Sequence, residues 1–381
     1  MTDAFVTGVG MTRFESESSG SALELAERAA WRALSDAAVE PTDVTSVHVG
    51  NMAAEAFEGR TGLENALCGA LGVEGAIADR IENTSASGAS AVLRAVHALE
   101  AGASSRALVV GVETMTAAET DAATELISRL VHDREYAQGV TLPSFAGLAA
   151  EHYLRTYDVE PSALAHVAVK NHRNAAANPY AQFQEPITLE EARTSPPVAE
   201  PLRLYDCCPT SDGTAAIVLE TTPEMDGIRV ASVTGATGTH AVAERPNPLE
   251  IESVERAGQQ ALADANVTQD DVDVACIHDA FTILELLELE ELGFYDPGDA
   301  WRATADGETA LDGRLPVNPG GGLKARGHPL GATGVAQIIE LTWQLRGDAP
   351  EDRRVENPRT GLALNVAGFG NNAVCTILQV P

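Results

Sequence analysis

The chain has 381 residues, 44 % of them hydrophobic, with 56 acidic side chains against 25 basic ones and a formal net charge of -31. That length holds two domains of ordinary size with sizeable cores, and the composition excludes a disordered chain or a fibre. Acid spread along the whole chain, with only two lysines (Lys170 and Lys324), leaves no basic stripe to neutralise phosphates, which argues against nucleic-acid binding as a main role, and implies self-repulsion that salt would screen.

The chain opens with AFVTGVGMT, read as a strand, then an amphipathic helix over Leu23–Ala38 and a second strand over Val44–Val49. Small residues (SASGAS) begin a buried helix expected from Ser85 to Glu100, and RALVVGVE is a buried strand. The region 115–205 reads as irregular and polar. It holds an amphipathic helix near Phe145–Tyr157 and the turn-rich stretch NHRNAAANPYAQFQEP, a natural cap over a site.

The first helix then returns. Ala26-Glu27-Arg28-Ala29 matches Val254-Glu255-Arg256-Ala257, and the register runs without a gap through Gly50 and His278. A repeat at this spacing is no solenoid period; it points to two similar α/β halves. The halves are placed at 1–225 and 226–381, with the break near Pro223–Gly227. Ala-rich helices also match one another cheaply by chance.

Four segments carry chemistry. In IENTSASGAS, Ser85 stands at a helix start whose free backbone N–H groups stabilise negative charge; alone, it reads equally as a helix cap. In CIHDAF, His278 follows a strand and precedes an acidic amphipathic helix, either as a site residue or as a structural hydrogen-bonder. In NPGGGLKARGHPLGATG, six glycines surround His328. That density allows close backbone approach, and the pattern is neither a Walker A loop nor a dinucleotide fingerprint. In LALNVAGFGNNAVCTIL, two strands flank a glycine turn, with Asn365 near the end of the first; the alternative is a plain packed hairpin. The five cysteines show no zinc spacing and no paired framework, so reduced thiols are expected. No stretch approaches the ~20 apolar residues of a membrane span, and MTDAFVTGVG has no signal-peptide pattern, so a cytoplasmic, non-membrane protein is expected.

Together these segments resemble the thiolase superfamily, in its archaeal and sterol-carrier-type branch. GHPLGATG is the most specific match, HDAF matches the branch's form of a NEAF-like motif, and NHRNAAANPYAQFQ and PLRLYDCCPTSDGTAA look alike too. The acidity and a serine in the nucleophile position narrow the likeness toward haloarchaeal β-ketothiolase catalytic α subunits. The resemblance implies an α/β thiolase fold, with two duplicated βαβαβαββ halves in a five-layered α-β-α-β-α sandwich and an inserted loop domain. It implies acyl-CoA substrates, no permanently bound cofactor and no metal. A homodimer or tetramer, with a small OB-fold/zinc-ribbon subunit as partner, is also implied.

By the same resemblance, Ser85 occupies the nucleophilic cysteine position, His328 activates it, and His278 helps hold the thioester oxygen. Asn365, Ala367 and Gly368 support an oxyanion hole, while Gly327, Pro329, Gly331 and Phe281 form a substrate loop. Two departures matter. The family's second cysteine, the acid/base for the substrate α-carbon, falls at Asn365, and the branch's alternative position is Ala280. His278 is then the candidate for that role as well. An alcohol nucleophile needs a general base, and its oxygen-ester intermediate favours carbon–carbon condensation over attack by a CoA thiol. The expected function is an acetyl-CoA C-acyltransferase serving polyhydroxyalkanoate or other lipid metabolism. The alternative is a non-catalytic thiolase-like acyl-CoA-binding or scaffold subunit.

Overall fold

The computed structural model describes residues 3–222 and 226–381. The proposed break at Pro223–Gly227 therefore falls partly on Pro223, Glu224 and Met225, which lie outside the described residues.

The first half runs β1 (Ala4–Met11), α1 (Ala22–Asp36), β2 (Ser46–Gly50), α2 (Leu63–Leu71), β3 (Ile77–Ile81), α3 (Ser87–Glu100) and β4 (Arg106–Thr114). The insertion then contributes α4 (Leu142–Thr156) and α5 (Ser162–Ala175), and β5 (Asp212–Glu220) closes the half. The second half runs β6 (Ile228–Thr237), α6 (Glu252–Ala265), β7 (Val274–Cys276), α7 (Thr282–Glu291), the short α8 (Gly322–Arg326), α9 (Thr333–Arg346), β8 (Thr360–Ala367) and β9 (Asn372–Gln379).

Nine strands follow the order β3-β2-β4-β5-β1-β6-β9-β8-β7. The two halves join edge to edge where Ala4–Val6 of β1 pair antiparallel with Ile228–Val230 of β6. Helix α1 packs on β1 and β5 on one outer face, and α6 packs on β6 and β9 on the other. Helices α3 and α9 touch each other and strands of both halves, which makes the middle layer of a five-layered sandwich. The strands next to that layer read as unbroken apolar runs because both faces are covered: every residue of β1, β5 and β8 is buried.

The repeat is real in space. At the displacement that aligns Ala26 with Val254, the 3-10 turn Pro41–Asp43 falls on Gln269–Asp271, and β2 falls on the start of β7. The second half is the less regular copy. Its third strand is reduced to one parallel bridge, Ala275 to Val317.

Four local expectations change. The regular helix begins at Ser87, and Ser85 lies in the 3-10 turn Thr84–Ala86 before it. The stretch beginning NHRNA is not all turn, because Asn171–Ala175 finish α5. The insertion is also less of a loose cap than its polarity suggests: Tyr153, Leu164 and Val167 share one hydrophobic cluster with Ile283, Leu286 and Phe369 of the second half. Helix α7 departs furthest from its amphipathic reading, since Thr282–Leu289 are all buried, Glu285 and Glu288 included.

Most ion pairs are exposed, and the surplus acid sits outside. We expect the melting temperature to rise as KCl goes from about 0.1 M to about 2 M, as repulsion is screened within a few ångströms. A flat or falling melting curve over that range would remove the salt-adapted reading of the composition.

Candidate active site

Ser85 is held by a strained turn. Thr84, a β-branched residue, sits at φ 47° in the left-handed region, a costly conformation that surrounding contacts must enforce. They do so on both sides. The Ser87 hydroxyl donates to the Thr84 carbonyl (2.6 Å) and accepts from the Asn83 N–H (2.9 Å), while the Asn83 amide bridges Ser90 and Asn372. The result places Ser85, 4 % exposed, just ahead of the first free N–H groups of α3.

His328 arrives on the glycine-rich loop between α8 and α9. Gly331 fixes the loop's depth, because the backbone carbonyls of Val112 and Gly50 crowd it and its own carbonyl lies against Gly88 and Gly111. Buried Glu113 holds the same point, accepting from the N–H groups of Gly331 (3.1 Å), Met52 (2.8 Å) and Ala53 (3.1 Å). Thus the end of β4, the loop after β2 and the glycine loop are stitched together by one carboxylate.

The histidine tautomers follow from their partners. The Thr333 hydroxyl donates to the Pro329 carbonyl (3.0 Å), so its oxygen accepts from His328 Nδ1–H (2.7 Å). His328 Nε2 is left as a lone pair, the form a general base needs. His278 is the opposite case. The Asn365 amide donates to its Nδ1 at 2.9 Å, which places the proton on Nε2. That nitrogen is a hydrogen-bond donor, suited to a developing oxyanion. The two rings meet edge to face, with centroids 5.1 Å apart. The His278 backbone N–H donates to buried Glu288, whose carboxyl burial pushes well up.

Ser85, His278, His328, Phe281 and Gly368 all line one cavity of about 180 Å3, roofed by Met115, Ile127 and Leu142 from the insertion. No Lys or Arg is among its lining residues, so backbone donors and neutral imidazole are the groups that face an oxyanion formed beside Ser85. The other expected site residues stand behind this wall. Asn365 orients His278, Pro329 orients Thr333, and Gly331 seats the loop. Gly327 takes φ 111° at the turn beneath His328, and Ala367 continues β8 up to Gly368. Gly327, Pro329 and Gly331, expected as a substrate loop, are not among the residues lining this cavity.

The sequence reading missed Glu113, Thr333 and Ser211, whose hydroxyl accepts from the His328 backbone N–H at 3.0 Å. It also missed Asp279, which accepts from the N–H groups of Leu323 (2.7 Å) and Lys324 (3.2 Å) and so fixes the start of α8. A lone acid ending a buried strand, as Glu113 does, was the one signal available.

Burial, with Arg326 nearby, pushes the His328 imidazole down to about 3. A lowered value means the basic form persists until pH falls through it. The rate of Ser85 acylation should therefore stay flat from about pH 8 to about pH 5, instead of falling near the ordinary histidine value of about 6.5. An acid limb centred near 6.5 in the pre-steady-state rate, still present in Glu113→Gln, would count against His328 as the base.

Comparison with known proteins agrees with this architecture. The family model described as the thiolase N-terminal domain matches residues 4–222, and the thiolase C-terminal domain-like model matches residues 234–380. The chain is 37 % identical to an acetyl-CoA acetyltransferase of Methanothermobacter thermautotrophicus, with 100 % of both chains covered. It is 31 % identical to human sterol carrier protein 2, over 99 % of this chain and 72 % of that one. Among solved structures, an Ltp2-ChsH2(DUF35) aldolase superposes with a TM-score of 0.87 at 25 % identity, covering 100 % of this chain and 98 % of that one.

Proposed function

This chain belongs to the thiolase family and is an acyltransferase, and we propose that it is a β-ketothiolase joining two acyl-CoA units into a 3-ketoacyl-CoA through an acyl-Ser85 intermediate. The observation that carries this reading is the meeting of Ser85, a lone-pair imidazole (His328) and an N–H imidazole (His278) on one buried cavity.

His328 Nε2 takes the Ser85 proton as the hydroxyl attacks the thioester carbonyl. His278 Nε2–H, with N–H groups at the start of α3, holds the oxygen that becomes negative. CoA thiolate leaves, and an oxygen ester remains on Ser85. That ester forms downhill from a thioester, so the enolate of the second acyl-CoA is the favoured attacker and release by CoA thiol is slow. The supports for an acetyl-sized acyl unit are the small cavity and the acetyltransferase relative. The acidity supports a salt-rich cytoplasm, and polyhydroxyalkanoate synthesis is one pathway that could use the product. A homodimer or tetramer with a small second subunit extends the proposal; the similar aldolase, named with a second component, supports the latter.

The test is mass spectrometry of the protein after incubation with acetyl-CoA in molar KCl. An acetyl adduct on the peptide holding Ser85 is expected, and a chain that stays unmodified while acetyl-CoA is turned over would end the covalent reading.

A further inference from the structure

Carbon–carbon bond formation between two acyl-CoA units requires a group that takes a proton from the α-carbon, and the reverse reaction requires the same group to return it. His278 does not suit this role, because its Nε2 already carries a proton and its Nδ1 accepts from Asn365. In the acyl-Ser85 reading, His328 is taken up with the Ser85 proton. The remaining protic side chains on the cavity wall are the alcohols Thr124, Ser128 and Thr210 and the thiols Cys207 and Cys208. Alcohols are far weaker acids than thiols, which leaves the cysteines.

The two thiols differ. Cys207 Sγ donates to the Arg203 carbonyl at 3.6 Å. Cys208 Sγ has no hydrogen-bond partner among the described residues. Its backbone is fixed from the opposite strand of chain: the Cys208 N–H donates to the Ala280 carbonyl at 2.9 Å, and Cys207 bridges Phe281. This ties Cys208 to the turn that carries His278. A second feature sits beside it. Lys324, one of the chain's two lysines, is 2 % exposed; its ammonium makes no hydrogen bond or ion pair among the described residues and lies over the Tyr205 ring, 5.8 Å from the centroid. The other lysine, Lys170, is paired with Glu285 at 2.5 Å. A buried ammonium without a directly paired anion favours negative charge beside it, which Asp279 and Asp206 supply in part and a nearby thiolate would add to. Both Lys324 and Cys208 line the adjoining cavity of about 580 Å3, and Cys208 is foremost among the groups whose negative charge would favour the ammonium.

We propose that Cys208 is a catalytic residue of this acyl transfer, the thiol that exchanges a proton with the substrate α-carbon, and that Lys324 is the positioning cation for its thiolate. The proposal rests on the acyl-Ser85 reading above. In the cleavage direction, Ser85 Oγ bonds to C3 of the 3-ketoacyl-CoA, and its proton passes to His328. The C2–C3 bond breaks, and C2 takes the Cys208 proton to leave as acyl-CoA. The Cys208 thiolate then takes the proton of an incoming CoA thiol, whose sulfur bonds to the acyl carbon. The Ser85 oxygen leaves and recovers its proton from His328. Condensation is the same sequence reversed. Burial pushes the Cys208 thiol up to about 12, so it rests protonated and, once ionised, is a strong base toward carbon; Lys324 lowers the cost of the ionised state.

The test measures deuterium entry at the α-carbon of acetyl-CoA in heavy water, beside acyl-Ser85 formation, in the intact chain in molar KCl. Cys208→Ala should keep acyl-Ser85 formation within a few-fold and lose deuterium entry and condensation by about 10²- to 10⁴-fold, the scale of general acid–base catalysis. Cys208→Ser, closer in shape, should lose them on the same scale, which guards against a packing artefact. Cys207→Ala should retain both. Lys324→Met should slow exchange about tenfold or more while acylation persists. Deuterium entry within threefold of the unsubstituted chain in Cys208→Ala overturns the proposal alone. Absence of acyl-Ser85 in the unsubstituted chain overturns the reading beneath it, and this proposal with it.

Discussion

Replacing Ser85 by alanine is expected to abolish acyl-enzyme formation and to lower kcat/KM by about 10⁴-fold or more, the scale on which loss of a nucleophile acts in Ser-His enzymes. The fold should survive, because the turn is held by Asn83, Ser87 and Ser90, and the Ser85 hydroxyl takes no part in those bonds. Ser85→Cys is the sharper variant. A thiol keeps a few per cent of thiolate at neutral pH and depends less on a base, so activity should be retained or raised. Its dependence on His328 should shrink as well. Steady-state kinetics of both variants, with and without His328→Ala, check this. A Ser85→Ala protein with undiminished turnover would mean the serine is only a cap.

The second large effect is expected at Gly331. A Cβ there would lie 2.4 Å from the Val112 carbonyl oxygen, 2.5 Å from that of Gly50 and 2.9 Å from the Asn51 Cα. All three are buried backbone atoms, two in strands and Asn51 directly after β2, so none can rotate away. Gly331→Ala must lift the loop, stretch its bond to Glu113 and displace His328. Overpacking of this kind costs ~1–3 kcal/mol or more, and a shift of about 1 Å in a catalytic group costs about 10²-fold in rate. Thermal unfolding and the acylation rate should both report the loss. Gly69→Ala is the control: Gly69 lies within α2 and a Cβ there meets nothing within 4 Å, so stability should hold or rise by up to ~1 kcal/mol. Equal behaviour of the two variants would show that the loop is not seated as described.

The two halves were legible because the repeat preserves spacing: the helix, the 3-10 turn and the following strand keep their register in both copies. The five layers were not readable from pattern alone and came from the resemblance. The sheet strands carry the same apolar run whether they face one helix layer or two. Helix α7 shows the limit of periodicity: Glu285 and Glu288 look like a solvated face, yet Glu285 meets Lys170, Asn171 and Asn318 in the interior. Partners more than 30 residues away decide that, and no local pattern records them.

The sequence by itself determined the residue types available for chemistry: a serine at a small-residue helix start, two histidines in marked motifs and no cysteine at Asn365 or Ala280. It also pointed to two similar halves, through a helix, turn and strand whose spacing recurs. The tertiary structure alone decided which histidine nitrogen bears the proton, since that depends on Thr333 and Asn365. It decided too that Gly331 seats the loop through contacts with the Gly50 and Val112 carbonyls. It also placed Cys208 on the wall with Ser85, because hydrogen bonds and packing join residues by position in space, and distance along the chain carries no trace of it.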